Sequence, residues 1–308
     1  MMLLREIRYV LAVHEHSSFT KAAESLFISQ PALSKYIKGL ESTLGAKLFE
    51  KDDGKLTLTY AGQAYVDAAR SIMSTFDKMV QETLLSDKEH RGRLKLGITS
   101  SRGSHLLPKV LPIFYKMYPN VEFILFEEHA DKLEQLLLDG IVDVIIIKLP
   151  LMLPNIEYIH LCEEELLLSV PCDHPCVSKA VWKDEREYPW IDLRHFKDDV
   201  FILLKPGQRT RRIVDEILLR AGIAPQKTIL TNNIETATRL SSELGITFIP
   251  EQYTTDLSTN RAPCFFSIGE PTTTCTFVAG HRKNGYLTPC AKDFLQIVID
   301  YYSAVKKT

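Results

Sequence analysis

Apolar residues near the start of the chain recur every three or four positions: Leu3, Leu4, Ile7, Val10 and Leu11. That spacing gathers them on one face and predicts an amphipathic first helix. The stretch HEHSSFT interrupts it, and Thr20 is expected to cap a second helix, KAAESLF. Ala22 and Ala23 are small, as a close helix crossing requires. FIS reads as a turn. A third helix opens in SQPALSKYIKGLE, residues 29–41. Ser29 can accept a free backbone N–H at its start, and Pro31 fits just inside, where its missing N–H costs nothing. Ala32, Leu33, Ile37 and Leu40 form the expected inward stripe, leaving Gln30, Ser34, Lys35 and Lys38 outward. Two helices joined by a short turn, the second well capped and basic, make a helix-turn-helix. The pattern then switches to alternation, with Leu56 and Leu58 inward and Thr57 and Thr59 outward. Asp53-Gly54 signals the hairpin turn, so the segment reads as a winged helix-turn-helix.

From Tyr60 to about Leu85 the only breaker is Gly62, and Ala61, Tyr65, Ala68, Ile72, Phe76, Met79 and Leu84 recur at helical steps. Such a helix is roughly 40 Å long. One apolar stripe does not stabilise a lone helix of that length, so a partner is expected, most simply the same helix of a second subunit; packing on its own domain is the alternative. SDKEHRGR, residues 86–93, reads as a hinge. Beyond it strands and helices alternate. The strand LKLGI precedes a helix around 105–117, VEFILF precedes one around 131–139, and VDVIIIK is apolar enough for a parallel strand buried on both faces. VFILL with a helix at 209–221, KTIL with one at 234–243, and ITFIP follow. Repeated strand–helix units imply an α/β sheet, in one large domain or two lobes.

Composition narrows the function. The 308 residues are 45% hydrophobic and 25% charged, enough for two or three domains, and the formal net charge is −2. Any nucleic-acid surface must therefore be local. Residues 1–60 hold eight Lys and Arg against seven Asp and Glu, so one copy pulls weakly on DNA and two copies on one duplex are expected. No apolar run spans a bilayer and no secretory signal stands at the N-terminus, so a cytoplasmic protein without membrane contact is expected. The six cysteines all follow residue 160 and are expected as free thiols. Cys172, His174 and Cys176 lie too close together for a tetrahedral zinc site and read instead as a His-Pro turn between two strands.

With these residues laid out, the chain resembles the LysR-type transcriptional regulators. FTKAAESLFISQPALSKYIKGLESTLGAKLFEK and LTLTYAG match the family's DNA-binding segment almost position by position. LLP, DGIVDV, DHP, FILL with the following Gly and RR, and GITFIP match more loosely along the rest. The resemblance implies a winged helix-turn-helix over residues 1–60, a dimerisation helix over 61–89, and a periplasmic-binding-protein-like effector domain over 90–308. Two Rossmann-like α/β lobes are implied in that domain, lobe I at 93–161 and 270–308 and lobe II at 162–269, with a ligand cleft between them. A homodimer, four subunits in the full assembly, and RNA polymerase as a partner are implied as well. Departures from the family pattern are Glu243 and Glu128, each where Gly is usual, and Asp52 and Asp53 in a wing that also carries Lys51 and Lys55. KPGQRTRR has no neighbouring Cys, which argues against the peroxide-sensing type.

The DNA contacts expected are base readout by Gln30 and Ser34, apolar contact by Pro31, and phosphate contact by Lys35 and Lys38, with Thr20, Ser29, Lys51 and Lys55 around them. For the effector, GITSSRGS puts Thr99, Ser100 and Ser101 at a strand end and a helix start, where free N–H groups suit an anion. Lys148 ends the VDVIIIK strand. Gln208 and Arg209 open a helix opposite, and Thr231, Asn232 and Thr247 end two more strands. A small anionic effector, a carboxylate, is the expected ligand, with no cofactor and no metal. An enzyme is the first competing class, but the chain has no P-loop, G-x-G-x-x-G, G-x-S-x-G or H-E-x-x-H motif. A ligand-independent nucleoid protein is the second; a ligand-dependent footprint separates it from a regulator.

Overall fold

A computed structural model describes residues 4–52, 55–85, 92–183, 186–255, 262–283 and 285–305. The Asp53-Gly54 turn and residues 86–91 of the expected hinge lie outside the described residues.

Three helices lead the chain: α1 (Leu4–His16), α2 (Phe19–Ser25) and α3 (Gln30–Leu44). Ser18, not Thr20, caps α2. Its backbone is extended and its side chain accepts the Lys21 N–H at 3.4 Å. The helix starts early because Phe19 packs edge-on against Phe49, 5.9 Å between ring centres, which draws the first turn into the core. Ser29 occupies the cap position of α3, but its hydroxyl makes no capping bond. Leu33 and Ile37 are buried and Leu40 is half-buried, whereas Ala32 is exposed. One residue is 100° of helical turn, which carries Ala32 outside the narrow arc that Leu33, Ile37 and Leu40 share. Strands β1 (Phe49–Asp52) and β2 (Lys55–Leu58) form the antiparallel wing.

Helix α4 (Tyr60–Leu85) matches the expected span. Thr59 fastens its start: the hydroxyl donates to the Lys47 carbonyl and accepts the Gly62 N–H. A Cβ at Gly62 would stand 1.9 Å from the Leu48 carbonyl oxygen, so glycine alone permits this approach. Val66 and Ala69 are buried on the first turns, and Val66 joins the core of the three helices. Farther along, Ile72, Met79 and Val80 are exposed.

The remainder builds an α/β unit from β3 (Gly92–Ile98), α5 (Ser100–Met117), β4 (Val121–Glu127), α6 (Ala130–Leu138), β5 (Val144–Lys148) and β6 (Ile156–Val170). It continues through β7 (Val200–Leu204), α7 (Arg209–Ala221), β8 (Lys227–Thr231), α8 (Ile234–Leu240) and β9 (Thr247–Pro250). It ends with β10 (Cys264–Phe266), β11 (Thr274–Arg282) and α9 (Pro289–Val305). α5 starts at Ser100, five residues before the expected span, because Thr99 already has the extended backbone of a cap. The main sheet runs β10-β6-β11-β5-β3-β4, with β9 also on β6. β5 is parallel to β3, antiparallel to β11 and buried throughout.

Strand β6 belongs to both halves. Ile156 to Glu165 pair with β11, and Leu166 to Ser169 pair with β9. The strand therefore exchanges one partner for another in mid-course, at Glu165/Leu166. On lobe II, β7 and β8 pair in parallel beneath α7 and α8. The cysteines depart from expectation. Cys172, just past β6, and Cys264, opening β10, form a disulfide, because antiparallel pairing brings their Cα atoms within 5.0 Å. Cys162, Cys176, Cys275 and Cys290 are free thiols. A 3-10 turn, Pro175–Lys179, stands where the expected His-Pro turn would have led into a strand, and His174 caps it. Among the described residues no helix is long and apolar enough to cross a membrane.

Candidate functional site

Gln30, Pro31, Lys35 and Lys38 are exposed on α3, with Ser34 half-buried between them. Gln30, Ser34 and Lys38 follow at intervals of four and so line one ridge of the helix. The inner side of α3 is held by Leu33 and Ile37. Its far end is braced by Glu41, whose carboxylate accepts the N–H groups of Leu48 at 2.7 Å and Phe49 at 3.3 Å. Glu41 is thus spent on the wing and leaves the outward face of α3 free of acid. Lys51 and Lys55 are exposed on the wing, and Thr20 and Ser29 are exposed beside α3. Arg5 of α1 donates to the Tyr36 hydroxyl and lies over its ring at 5.2 Å, extending the basic face beyond what helical periodicity revealed. Phe27, in the turn, is 95% exposed with a φ of 55°.

A cleft of about 410 Å³ opens at the carboxyl ends of β3 and β5. Thr99 to Arg102, Glu127 to Asp131 and Lys148 line one side; Gly207 to Thr210 and Asn232 to Glu235 line the other. Four helix starts converge here. α8 is capped by its own Asn233, while α5, α6 and α7 have no side-chain cap. Lys148 is buried at the cleft floor, 6% exposed. Its Nζ donates to Thr210 at 2.9 Å and lies 5.2 Å from the Phe277 ring centre; among the described residues no carboxylate pairs with it. Tyr253 also lines the cleft, and burial pushes its phenol up, so it is a neutral donor at physiological pH.

Family models match nearly all of the chain. The lysR family of bacterial regulatory helix-turn-helix proteins matches residues 4–63, and the LysR substrate binding domain matches residues 87–303. The chain belongs to the LysR family. It is similar to the HTH-type transcriptional regulator YcgK of Bacillus subtilis, at 31% identity over 96% of this chain and 94% of that one. It is similar also to the Hca operon transcriptional activator HcaR of Escherichia coli, at 30% identity over 99% of both. In fold it is similar to a full-length OxyR variant from Pseudomonas aeruginosa, with a TM-score of 0.70 and 24% identity over 98% of this chain and 95% of that one. This LysR-family protein is a DNA-binding transcriptional regulator with a substrate-binding effector domain.

Within the LysR substrate-binding domain, seven of the nine residues singled out from sequence line the cleft: Thr99, Ser100, Ser101, Lys148, Gln208, Arg209 and Asn232. The other two do not. Thr247 is buried and its hydroxyl donates to the Ile202 carbonyl at 2.6 Å, stitching β9 to β7. Thr231 accepts the Asn233 N–H at 3.1 Å and serves its own turn. Side chains alternate faces along a strand, and no periodicity says which strand end opens on the cleft. Arg209 lines the cleft but is committed elsewhere: it donates to the Lys148 carbonyl and to Glu134. Arg212 reaches Asp131 at 2.8 Å, so α7 is tied to α6 by two arginines. Sequence reasoning missed Arg102, 1% exposed at the first turn of α5. It holds Glu164 through two bonds, 2.7 and 2.9 Å, and lies 3.4 Å above the Phe277 ring. Burial is the largest single influence and opposes its charge, yet Glu164 together with Tyr302 and Tyr253 outweighs burial and holds the guanidinium protonated. Helical periodicity did not mark it, since His105 and Lys109 fall on the same side of the helix.

Proposed function

We propose that this regulator reads a two-fold symmetric operator through α3 and is controlled by a small, carboxylate-bearing effector held between lobes divided at residues 161/162 and 269/270. In this reading residues 1–60 bind DNA, 61–89 join two subunits, and 90–308 bind the effector. Gln30 and Ser34 address base edges. Pro31 contacts a thymine methyl. Lys35, Lys38, Lys51 and Lys55 neutralise phosphates, with Thr20 and Ser29 at the helix starts. The exposed Ile72, Met79 and Val80 of α4 support a homodimer through this helix. Pairs of dimers, contact with RNA polymerase and a cytoplasmic location complete the reading.

The observation that carries the effector assignment is Lys148. A buried ammonium with one neutral hydrogen-bond partner leaves its charge uncompensated, which is costly unless an anion joins it. Thr99, Ser100 and Ser101 with the uncapped start of α5 supply the remaining donors. The ligand shifts the arrangement of lobes, and with it the spacing of the two DNA heads, only by its differential affinity for the two states. Footprinting of the full-length protein on its own upstream region, titrated with small organic acids, tests this. The expected result is a protected pattern that changes with acid in the parent and not in Lys148→Ala. An acid response in Lys148→Ala or Ser100→Ala as large as the parent's rejects the site.

A further inference from the structure

The cleft has two electrostatic poles. Lys148 and the start of α5 make one. The other is the pair Glu127 and Glu128 at the end of β4, both exposed and both lining the cleft. Among the described residues neither carboxylate has a cationic partner. Asp131, close by, is already neutralised by Arg209 and Arg212. Glu235, on the facing lobe, has among the described residues one ion-pair partner, His105 at 4.0 Å.

Sheet register fixes the order of these groups. Glu127 lies beside Ile98 on β3, and Ile98 lies beside Ile146 on β5. Across the sheet edge the sequence is therefore acid pair, start of α5, Lys148. Adjacent strands are about 4.8 Å apart, so the two poles are separated by about 10 Å of backbone with the free N–H groups of α5 between them. The Glu127 carboxylate lies against the first turn of α5, 3.4 Å from where a Cβ of Gly103 would stand. Glu128 is held by its own N–H, which donates to the Ile98 carbonyl at 3.3 Å. A ligand with carboxylates alone would satisfy Lys148 and bring like charge to the acid pair.

We propose that the effector is a zwitterion, an amino acid or amino-substituted acid, whose carboxylate meets Lys148 and the α5 start and whose ammonium meets Glu127 and Glu128. This rests on the anion reading of the cleft given above. The acid pair then acts as a selectivity element: it repels plain acids and accepts the same carbon skeleton once it carries an ammonium.

Calorimetric titration of the full-length protein tests the assignment. The probes are the twenty protein amino acids, 4-aminobutyrate and 5-aminovalerate, each against the acid that lacks its amino group, such as leucine against 4-methylpentanoate and glutamate against glutarate. The expected result is at least one amino acid bound tenfold or more tightly than its deaminated counterpart. In the Glu127→Gln, Glu128→Gln double variant that ratio falls to threefold or less, while Lys148→Ala weakens both members of the pair. Deaminated acids that bind as well as the amino acids, still dependent on Lys148, overturn the zwitterion and leave the anion reading standing. Absence of binding by every probe, or binding indifferent to Lys148→Ala, overturns both.

Discussion

Arg209 on α7 donates to the carboxylate of Glu134 on α6, and the two side chains are 4% and 0% exposed. The same carboxylate accepts the N–H groups of Met152 and Leu153, at 2.9 and 2.7 Å. One buried ion pair therefore ties a lobe II helix to a lobe I helix directly beside the cleft. Arg209→Ala leaves Glu134 charged and buried without its cation, and Glu134→Ala leaves the buried Arg209 with only the longer 3.4 Å contact to Asp131, which Arg212 shares, and the Lys148 carbonyl. Arg209→Ala and Glu134→Ala are each expected to cost about 3–5 kcal/mol of stability. Urea unfolding of the full chain measures this. The Arg209→Met, Glu134→Leu double variant should recover a large part of the loss, since no stranded charge remains.

Reading and anchoring separate on α3. Gln30→Ala is expected to lose about 1–3 kcal/mol of discrimination between operator variants that differ at a contacted adenine. Lys38→Ala should weaken every sequence alike and lower the salt slope of binding by about 1. Equilibrium binding to a set of operator variants at several salt concentrations checks both. Wild-type behaviour in both variants would remove α3 from the groove.

The outer part of α4 makes the dimer testable. Ile72 is 43% exposed and Met79 is 54% exposed in the single chain. An Ile72→Glu, Met79→Glu variant places two charges on that face, and sedimentation velocity should show smaller species than the parent. Operator affinity should fall by about tenfold or more, because two heads on one duplex add their contacts.

Acid–base behaviour has a specific handle in Glu251. Burial, together with a hydrogen bond and repulsion from Glu187, pushes its carboxyl up from 4.5 to about 7. The folded chain thus holds a proton that the unfolded chain releases near pH 4.5. The stabilising contribution is whole below that value and is lost as pH rises to about 7. Glu251→Gln keeps a neutral group at every pH, so it should raise the melting temperature at pH 8 and change it little at pH 5. Equal effects at the two values would refute the shift.

Legibility differed by element. α4 matched its expected bounds because a long apolar stripe with Gly62 as its only breaker is a local signal; the Thr59 bonds that fasten its start were not legible. β5 was readable as a doubly buried strand from its own residues. By contrast β6, β10, β11 and α9 went unpredicted, and β6 changes partner at Leu166 in mid-strand, where no turn residue marks the change. Thr20 lost the α2 cap to Ser18 because a distant ring, Phe49, pulls Phe19 inward.

The order of residues alone determined the helix-turn-helix, the linker helix, the α/β class and the cationic face of α3, since each rests on spacing within one element. Only the tertiary structure decided which strand ends meet at the cleft, that Arg209 serves Glu134, that Cys172 finds Cys264 across 92 residues, and that Glu127 stands two strands from Lys148. Local periodicity reports which way a side chain faces; partners far apart in the chain are chosen by packing and pairing register, which no window of sequence contains.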